Sequence, residues 1–250
     1  MRVPDHDPIL LDLGTGSRYL GQQYGVGTPF NGTCLLSHLH WDHVQGLPFF
    51  PPVLRDGGKL TLHAPAQPEG DDLRAIFSKM WCPPSFPVSI ADLPGELVFT
   101  AHGDDTFQIG DVSVMSRLVP HIGNTLGYRL EWGGRVLVYI SDHQQPGIDV
   151  YETTDSVREL CADADLLIHD AQYTRSEFPQ KATWGHCTVD YAAWIASECG
   201  VRQLALYHHD PLHDDRMLDL IAEAVQRECD GSVDVVVAQE GRTLVVGGDS

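Results

Sequence analysis

The sequence predicts a layered α/β protein with sheet inside and helices outside. Three observations carry that expectation. Apolar runs of strand length crowd the first half, strand and helix patterns alternate in the second, and several of the runs end on a lone His or Asp. With 250 residues, 42% of them hydrophobic and 20% charged, the chain can bury a sizeable core.

Ile9 to Leu13 reads as a strand, closed by the turn Gly14-Thr15-Gly16. Thr33 to Ser37 and Leu60 to His63 are the next two strands, and Asp71 to Met80 has helical spacing. Trp81 to Gly95 contains four prolines and reads as an irregular loop that shapes specificity. Strands follow at Glu96 to Ala101, Val112 to Val119, Thr125 to Trp132 and Arg135 to Ile140, with Gly133-Gly134 as a hairpin signal between the last two. Thr153 to Ala162 is helical and Asp165 to Ile168 is a buried strand. Thr188 to Cys199 is a helix stopped by Gly200, and Leu204 to Tyr207 is a strand. Asp214 caps a helix with Met217, Leu218, Ile221, Ala224 and Val225 on one face. Val233 to Val237 and Thr243 to Val246 are expected as closing strands.

Composition excludes several classes. The formal charge of −19 repels polyanions, and no Lys/Arg cluster offers a nucleic-acid surface, so long nucleic acid is not an expected partner. A small anionic substrate is. No apolar run approaches the roughly 20 residues that span a bilayer. The polar start, Met1 to Asp7, lacks the apolar core of a signal peptide, so no membrane contact and a cytoplasmic location are expected. The six cysteines form no Cys-X-X-Cys pair and read as buried thiols rather than disulfides or a zinc ribbon. Cys187 adjoins His186, which makes a nucleophile the alternative to a buried thiol, the preferred reading. A homodimer is left open.

The densest chemistry is His38-Leu39-His40-Trp41-Asp42-His43, directly after Cys34-Leu35-Leu36-Ser37. Imidazole and carboxylate are the common non-sulfur ligands of zinc and other borderline divalent metals. If the preceding run is a strand, its alternation carries His38 and His40 to one side. Asp42 and His43 then follow in a loop or first helical turn, where they could face a second metal. Four residues cannot complete two sites, so further ligands are sought at other strand ends. His121 follows Leu118-Val119-Pro120, Asp142 follows Val136 to Ser141, and His208 follows Leu204 to Tyr207.

Those residues resemble the metallo-β-lactamase superfamily over nearly the whole chain. Asp165 to Asp170, and Gly185-His186-Cys187-Thr188 before a helix, resemble the phosphodiesterase branch that includes ribonuclease Z. The resemblance implies a single domain, 1–250, with a four-layer αββα sandwich. It implies His38, His40 and His121 on one metal, Asp42, His43 and His208 on the other, and Asp142 bridging. His209 rivals His208 because the two adjoin. His186 would donate the proton, with His169 and Asp170 supporting it, and Asp42 would orient the attacking hydroxide. The cofactors implied are two divalent ions, zinc first, with manganese or iron as alternatives.

Departures from that pattern bear on substrate. Relatives begin with a strand pair before Asp12-Leu13-Gly14-Thr15-Gly16, whereas this chain starts almost at that strand, so the expectation is either a sheet that lacks an edge or a start site set too far along the chain. His143 follows Asp142 where relatives often have Thr, Asp170 stands where ribonuclease Z has Glu, and no basic arm for transfer RNA is visible. The expectation is therefore a dinuclear hydrolase with a bridging hydroxide acting on a small, cyclic nucleotide-like phosphodiester. The alternatives are an acyl hydrolase for a thioester or lactone on the same metals, and a non-catalytic sensing or interaction module.

Overall fold

A computed structural model describes residues 1–25, 28, 30–70 and 72–247. It divides into two compact units, Met1–Gly103 and Asp104–Ser250. Each carries one sheet with its own helices. Among the described residues no helix is long and apolar enough to cross a membrane.

The first unit contains strands β1 (Ile9–Leu11), β2 (Phe30–Leu35), β3 (Gly58–Pro65) and β4 (Glu96–His102), hydrogen-bonded in that order. All three pairings are parallel, so each connection must cross over the sheet. Helices α1 (Ser17–Gln22), α2 (Trp41–Val44) and α3 (Leu73–Met80) lie in those crossovers. Asp72 caps α3 by accepting from the Arg74 amide, while Asp71, the expected start, lies outside the described residues. Leu10, Cys34, Leu36, Leu60, Leu62, Phe77 and Trp81 belong to one buried apolar cluster. The strand before the His-rich loop therefore ends in packed core, and the chain leaves it at Leu36-Ser37-His38.

In the second unit, β5 (Asp105–Ile109), β6 (Val112–Leu118), β7 (Leu126–Trp132) and β8 (Arg135–Ile140) form an antiparallel meander. Gly133 and Gly134, both at positive φ (57° and 73°), make the tight β7–β8 turn that L side chains resist. From β8 the sheet continues in parallel through β9 (Leu166–Asp170), β10 (Gln203–Tyr207) and β11 (Asp234–Val237). Helices α4 (Asp155–Cys161), α5 (Phe178–Lys181), α6 (Val189–Glu198) and α7 (Asp215–Glu228) make the crossovers. Thr154, Thr188 and Asp214 cap α4, α6 and α7 with side-chain oxygens.

Direction matters more than order here. Strand β6 is antiparallel to β7, and β7 to β8, so β6 runs the same way as β8, β9 and β10. The C-terminal ends of these four strands therefore lie along one edge of the sheet. Parallel strands present binding loops at that edge.

Thr243 to Val246 and β5 differ from expectation. Thr243 to Val246 is not a strand: the segment lies between Gly241 and Gly247, and Val245 is 76% exposed, so nothing apolar holds it against the sheet. Strand β5 was not foreseen, because Asp105–Ile109 is an edge strand with mostly exposed, polar side chains.

His63 on β3 and His102 at the end of β4 meet at 2.8 Å between Nδ1 and Nε2. Burial first, and the neighbouring imidazole second, push the His63 pKa down from 6.5 to about 4. A folded pKa below the unfolded value means stability that is complete above pH 6.5 and lost as pH falls toward 4. Denaturant titrations across that window should show a smaller stability loss for His63→Leu than for the parent chain. An identical loss in both proteins would show that His63 does not contribute.

Candidate metal centre and acid

In the first unit, His38 and His43 are buried while His40 and Asp42 are exposed. The His38 ring lies 4.3 Å from the rings of both His40 and His43. Asp12 organises the group. Its backbone is left-handed (φ 58°), which costs a non-glycine residue about 1–2 kcal/mol. That conformation accompanies a buried carboxylate that accepts from the Ser37 amide at 2.6 Å, the Ser37 hydroxyl at 2.8 Å and His43 Nδ1 at 2.6 Å. Ser37 Oγ in turn meets His38 Nδ1 at 3.0 Å. Because the Ser37 hydroxyl donates to Asp12, it accepts from His38. Both imidazoles are thus protonated on Nδ1 and carry the lone pair on Nε2, the state a metal ligand needs. The Leu13 amide bonds the His43 carbonyl at 2.8 Å and the Gly46 amide bonds the Leu13 carbonyl at 2.7 Å, fixing the loop to the Asp12 turn. Gly46 is required there, since a Cβ would lie 2.0 Å from the Gly14 carbonyl oxygen.

In the second unit the co-directional strands deliver His121 beyond β6, Asp142 beyond β8, Asp170 at the end of β9 and His208 beyond β10. Asp142 Oδ1 lies 3.8 Å from His121 Nε2, 3.6 Å from His208 Nε2 and 3.6 Å from His186 Nδ1. Those separations are too long for hydrogen bonds. Two ligands each about 2.1 Å from a tetrahedral ion are roughly 3.4 Å apart, so the spacing suits a shared cation. Asp142, His186 and His208 offer donor atoms all within 4.8 Å of one another. The donor set, imidazole and carboxylate without sulfur, fits zinc, manganese or iron.

The same tautomer logic operates here. His121 Nδ1 donates to the Gly185 carbonyl at 2.6 Å, leaving the lone pair on Nε2. Gly185 has φ 97°, and a Cβ on it would fall 2.4 Å from His121 Cε1. His208 Nδ1 meets the Gln172 side-chain amide at 2.8 Å. A half-turn of that amide would present oxygen instead of nitrogen, the orientation that would leave the His208 lone pair on Nε2 for a metal. His208 is itself left-handed (φ 55°) at the strand end. His209 points elsewhere, with Nε2 3.3 Å from the Ala238 carbonyl.

His186 Nδ1 lies 2.9 Å from Asp170 Oδ2, and its ring stacks on His208 with centroids 4.9 Å apart. His169 does not join it. It donates from Nδ1 to the Asp170 carbonyl at 2.7 Å and accepts on Nε2 from His143 at 3.0 Å. Burial lowers the pKa of both His143 and His169, which favours the neutral rings. Cys187 is fully buried and donates to the Asp170 carbonyl at 3.0 Å. Burial, then the charge of Asp170, raises its thiol pKa well above the ordinary value, which removes it as a nucleophile.

Sequence reasoning missed Asp12, Ser37, Gln172 and Gly185 as supports for these side chains. The turn Asp12-Leu13-Gly14-Thr15-Gly16 and the stretch Gly185-His186-Cys187-Thr188 are the available signals, and neither by itself assigns those supporting roles. Removing an outer partner of a metal-binding imidazole typically costs 10–100-fold in metal affinity. Asp12→Ala and Gly185→Ala should each weaken zinc binding by about that factor in calorimetric titration. Unchanged affinity in both variants would separate these residues from metal binding.

Comparison with known proteins follows from this geometry. Residues 30–209 match the model of the β-lactamase superfamily domain. The chain is 27% identical over 283 residues to a protein named ribonuclease Z from Haloarcula marismortui, covering 95% of this chain and 87% of that one. Among solved structures it is similar to the metallo-β-lactamase fold protein YhfI from Bacillus subtilis, with TM-score 0.68, 21% identity and coverage of 96% and 87%. It is also similar to Zn(2+)-bound PqqB from Methylobacterium extorquens, with TM-score 0.66, 21% identity and coverage of 98% and 85%. Strand ends loaded with imidazole and carboxylate, on a two-sheet α/β fold that matches the family model over most of its length, make this chain a member of the metallo-β-lactamase superfamily of hydrolases.

Proposed function

We propose that the chain is a metal-dependent phosphodiesterase. In this reading His38, His40 and His121 would hold one divalent ion, Asp42, His43 and His208 would hold a second, and Asp142 would serve both. Zinc is the first choice, with manganese or iron as alternatives. The observation that carries the proposal is the Asp170–His186 pair beside Asp142 and His208. A structural metal shell needs no adjacent proton donor, whereas hydrolysis of an alkyl phosphodiester does. The ribonuclease Z name of a relative supports phosphodiester chemistry on this scaffold.

Bound ions would supply Lewis acidity and lower the pKa of a coordinated water. The protein groups do the rest. Asp42 accepts a hydrogen bond from the attacking water and orients it. A P–O bond forms to the water oxygen, the P–O bond to the alcohol breaks, and its electron pair goes to the leaving oxygen. His186 protonates that oxygen from Nε2. Asp170, on Nδ1, stabilises the imidazolium before it donates, and the proton released by water reaches solvent and restores His186.

Several features bear on the substrate. Trp41, between His40 and Asp42, is 57% exposed, with its ring 6.4 Å from that of buried Trp81. Its open face suits the flat organic part of a cyclic nucleotide-like phosphodiester. The charge of −19 favours a small anion gathered at the ions over a long nucleic acid. Six free thiols accord with a cytoplasmic setting, and a homodimer is compatible with this reading.

His40→Ala should abolish metal-dependent hydrolysis while leaving the melting temperature nearly unchanged, because the side chain is exposed. Full activity in that variant would overturn the ligand assignment. A screen of bis-p-nitrophenyl phosphate and cyclic nucleotides against thioesters and lactones, in zinc and in manganese, should show turnover of the phosphodiesters. Turnover of acyl substrates alone would select the acyl hydrolase, and no turnover of either would select the sensing module.

A further inference from the structure

Two consecutive glutamines beyond β8 are used by none of the chemistry above, yet they bracket the His186 segment. Gln144 accepts from the Gly185 amide on Oε1 at 2.8 Å and donates from Nε2 to the Ala182 carbonyl at 2.9 Å and to the Gln145 carbonyl at 2.7 Å. Its own amide bonds the Pro120 carbonyl at 2.7 Å, next to His121. Gln145 is 1% exposed. Its amide bonds the His186 carbonyl at 3.2 Å, and its Oε1 accepts from the Thr188 amide at 3.1 Å and hydroxyl at 3.0 Å. Nε2 of Gln145 donates to the Gly147 carbonyl at 2.7 Å, which holds the side chain in place.

The consequence is geometric. Residues 182–188 form the connection that carries His186 from α5 to α6. They are held on one side of His186 by Gln144 and on the other by Gln145. Both anchors stand within three residues of Asp142. The segment that carries the acid imidazole is thereby tied to the strand end that bears Asp142 by two side-chain amides, in addition to the Gln145 backbone amide and the Tyr173–Thr188 bridge. Only an amide meets both needs of Gln144, since it must accept from Gly185 and donate to Ala182 with one planar group.

We propose that Gln144 and Gln145 are positioning residues that fasten the His186 segment to the Asp142 strand end, so that protonation of the leaving group depends on them. This rests on the reading of His186 as the acid. A misplacement of about 1 Å in a catalytic group can cost on the order of 100-fold.

The test compares two substrates, a cyclic nucleotide whose ribose oxygen needs a proton to leave and bis-p-nitrophenyl phosphate whose phenolate leaves without one. Gln144→Met, similar in size and devoid of these hydrogen bonds, should lose at least about 10-fold more kcat on the first substrate than on the second. It should retain the zinc content of the parent, and His186→Ala should show the same preference more strongly. If Gln144→Met melts below the assay temperature, Gln144→Glu serves instead: it keeps the acceptor for Gly185, loses both donations, and should show the same preference. If His186→Ala discriminates between the substrates and the Gln144 variants lose both equally, or neither, the inference fails while the acid assignment stands. If His186→Ala fails to discriminate, the acid assignment falls and the inference with it.

Discussion

The register of four co-directional strands is the constraint on which the second unit depends. Hydrogen bonding fixes Leu137 opposite Leu166 and Leu166 opposite Gln203. Once those pairings exist, the residues just past each strand have no choice of edge. Asp142, Asp170 and His208 arrive together because their strands are neighbours and run alike. His121 joins them because two antiparallel steps restore the direction. A slip of one residue in any pair would turn the alternate side chains over and scatter the donors.

Convergence of donors creates an electrostatic problem, and the surrounding hydrogen bonds answer it. An imidazole binds a cation only through an unprotonated nitrogen. His38, His43 and His121 each have Nδ1 engaged by an acceptor, which leaves on Nε2 the lone pair a cation would need. The means differ between the units. A full carboxylate, Asp12, backs His43, whereas a backbone carbonyl backs His121. A charged acceptor makes an imidazole more basic than a neutral one does.

Two of the anchors are left-handed without being glycine. Asp12 and His208 have φ of 58° and 55°, a conformation that costs on the order of 1–3 kcal/mol when it must be imposed. Both stand at strand ends and both are tied down by side-chain hydrogen bonds. The chain thereby turns sharply out of the sheet and aims a polar group where a relaxed strand would carry it past. Gly185, at φ 97°, serves the same purpose from the other direction, by leaving room for the His121 ring.

The sequence by itself determined the donor types and their places at strand ends. Apolar runs of strand length, closed by His38, His121, Asp142 and His208, are local patterns, and local patterns survive in one dimension. The long strands and the helices with capping residues were legible for the same reason. The short helices Ser17–Gln22 and Phe178–Lys181 were not, because one turn offers too few positions for a period to show. Only the tertiary structure decided which neighbours set the state of each donor. Asp12 and His43 are 31 residues apart, Gln172 and His208 36, and His121 and Gly185 64. Such pairs leave no periodic trace in the chain, since a hydrogen bond depends on where the backbone brings two atoms and not on what lies between them.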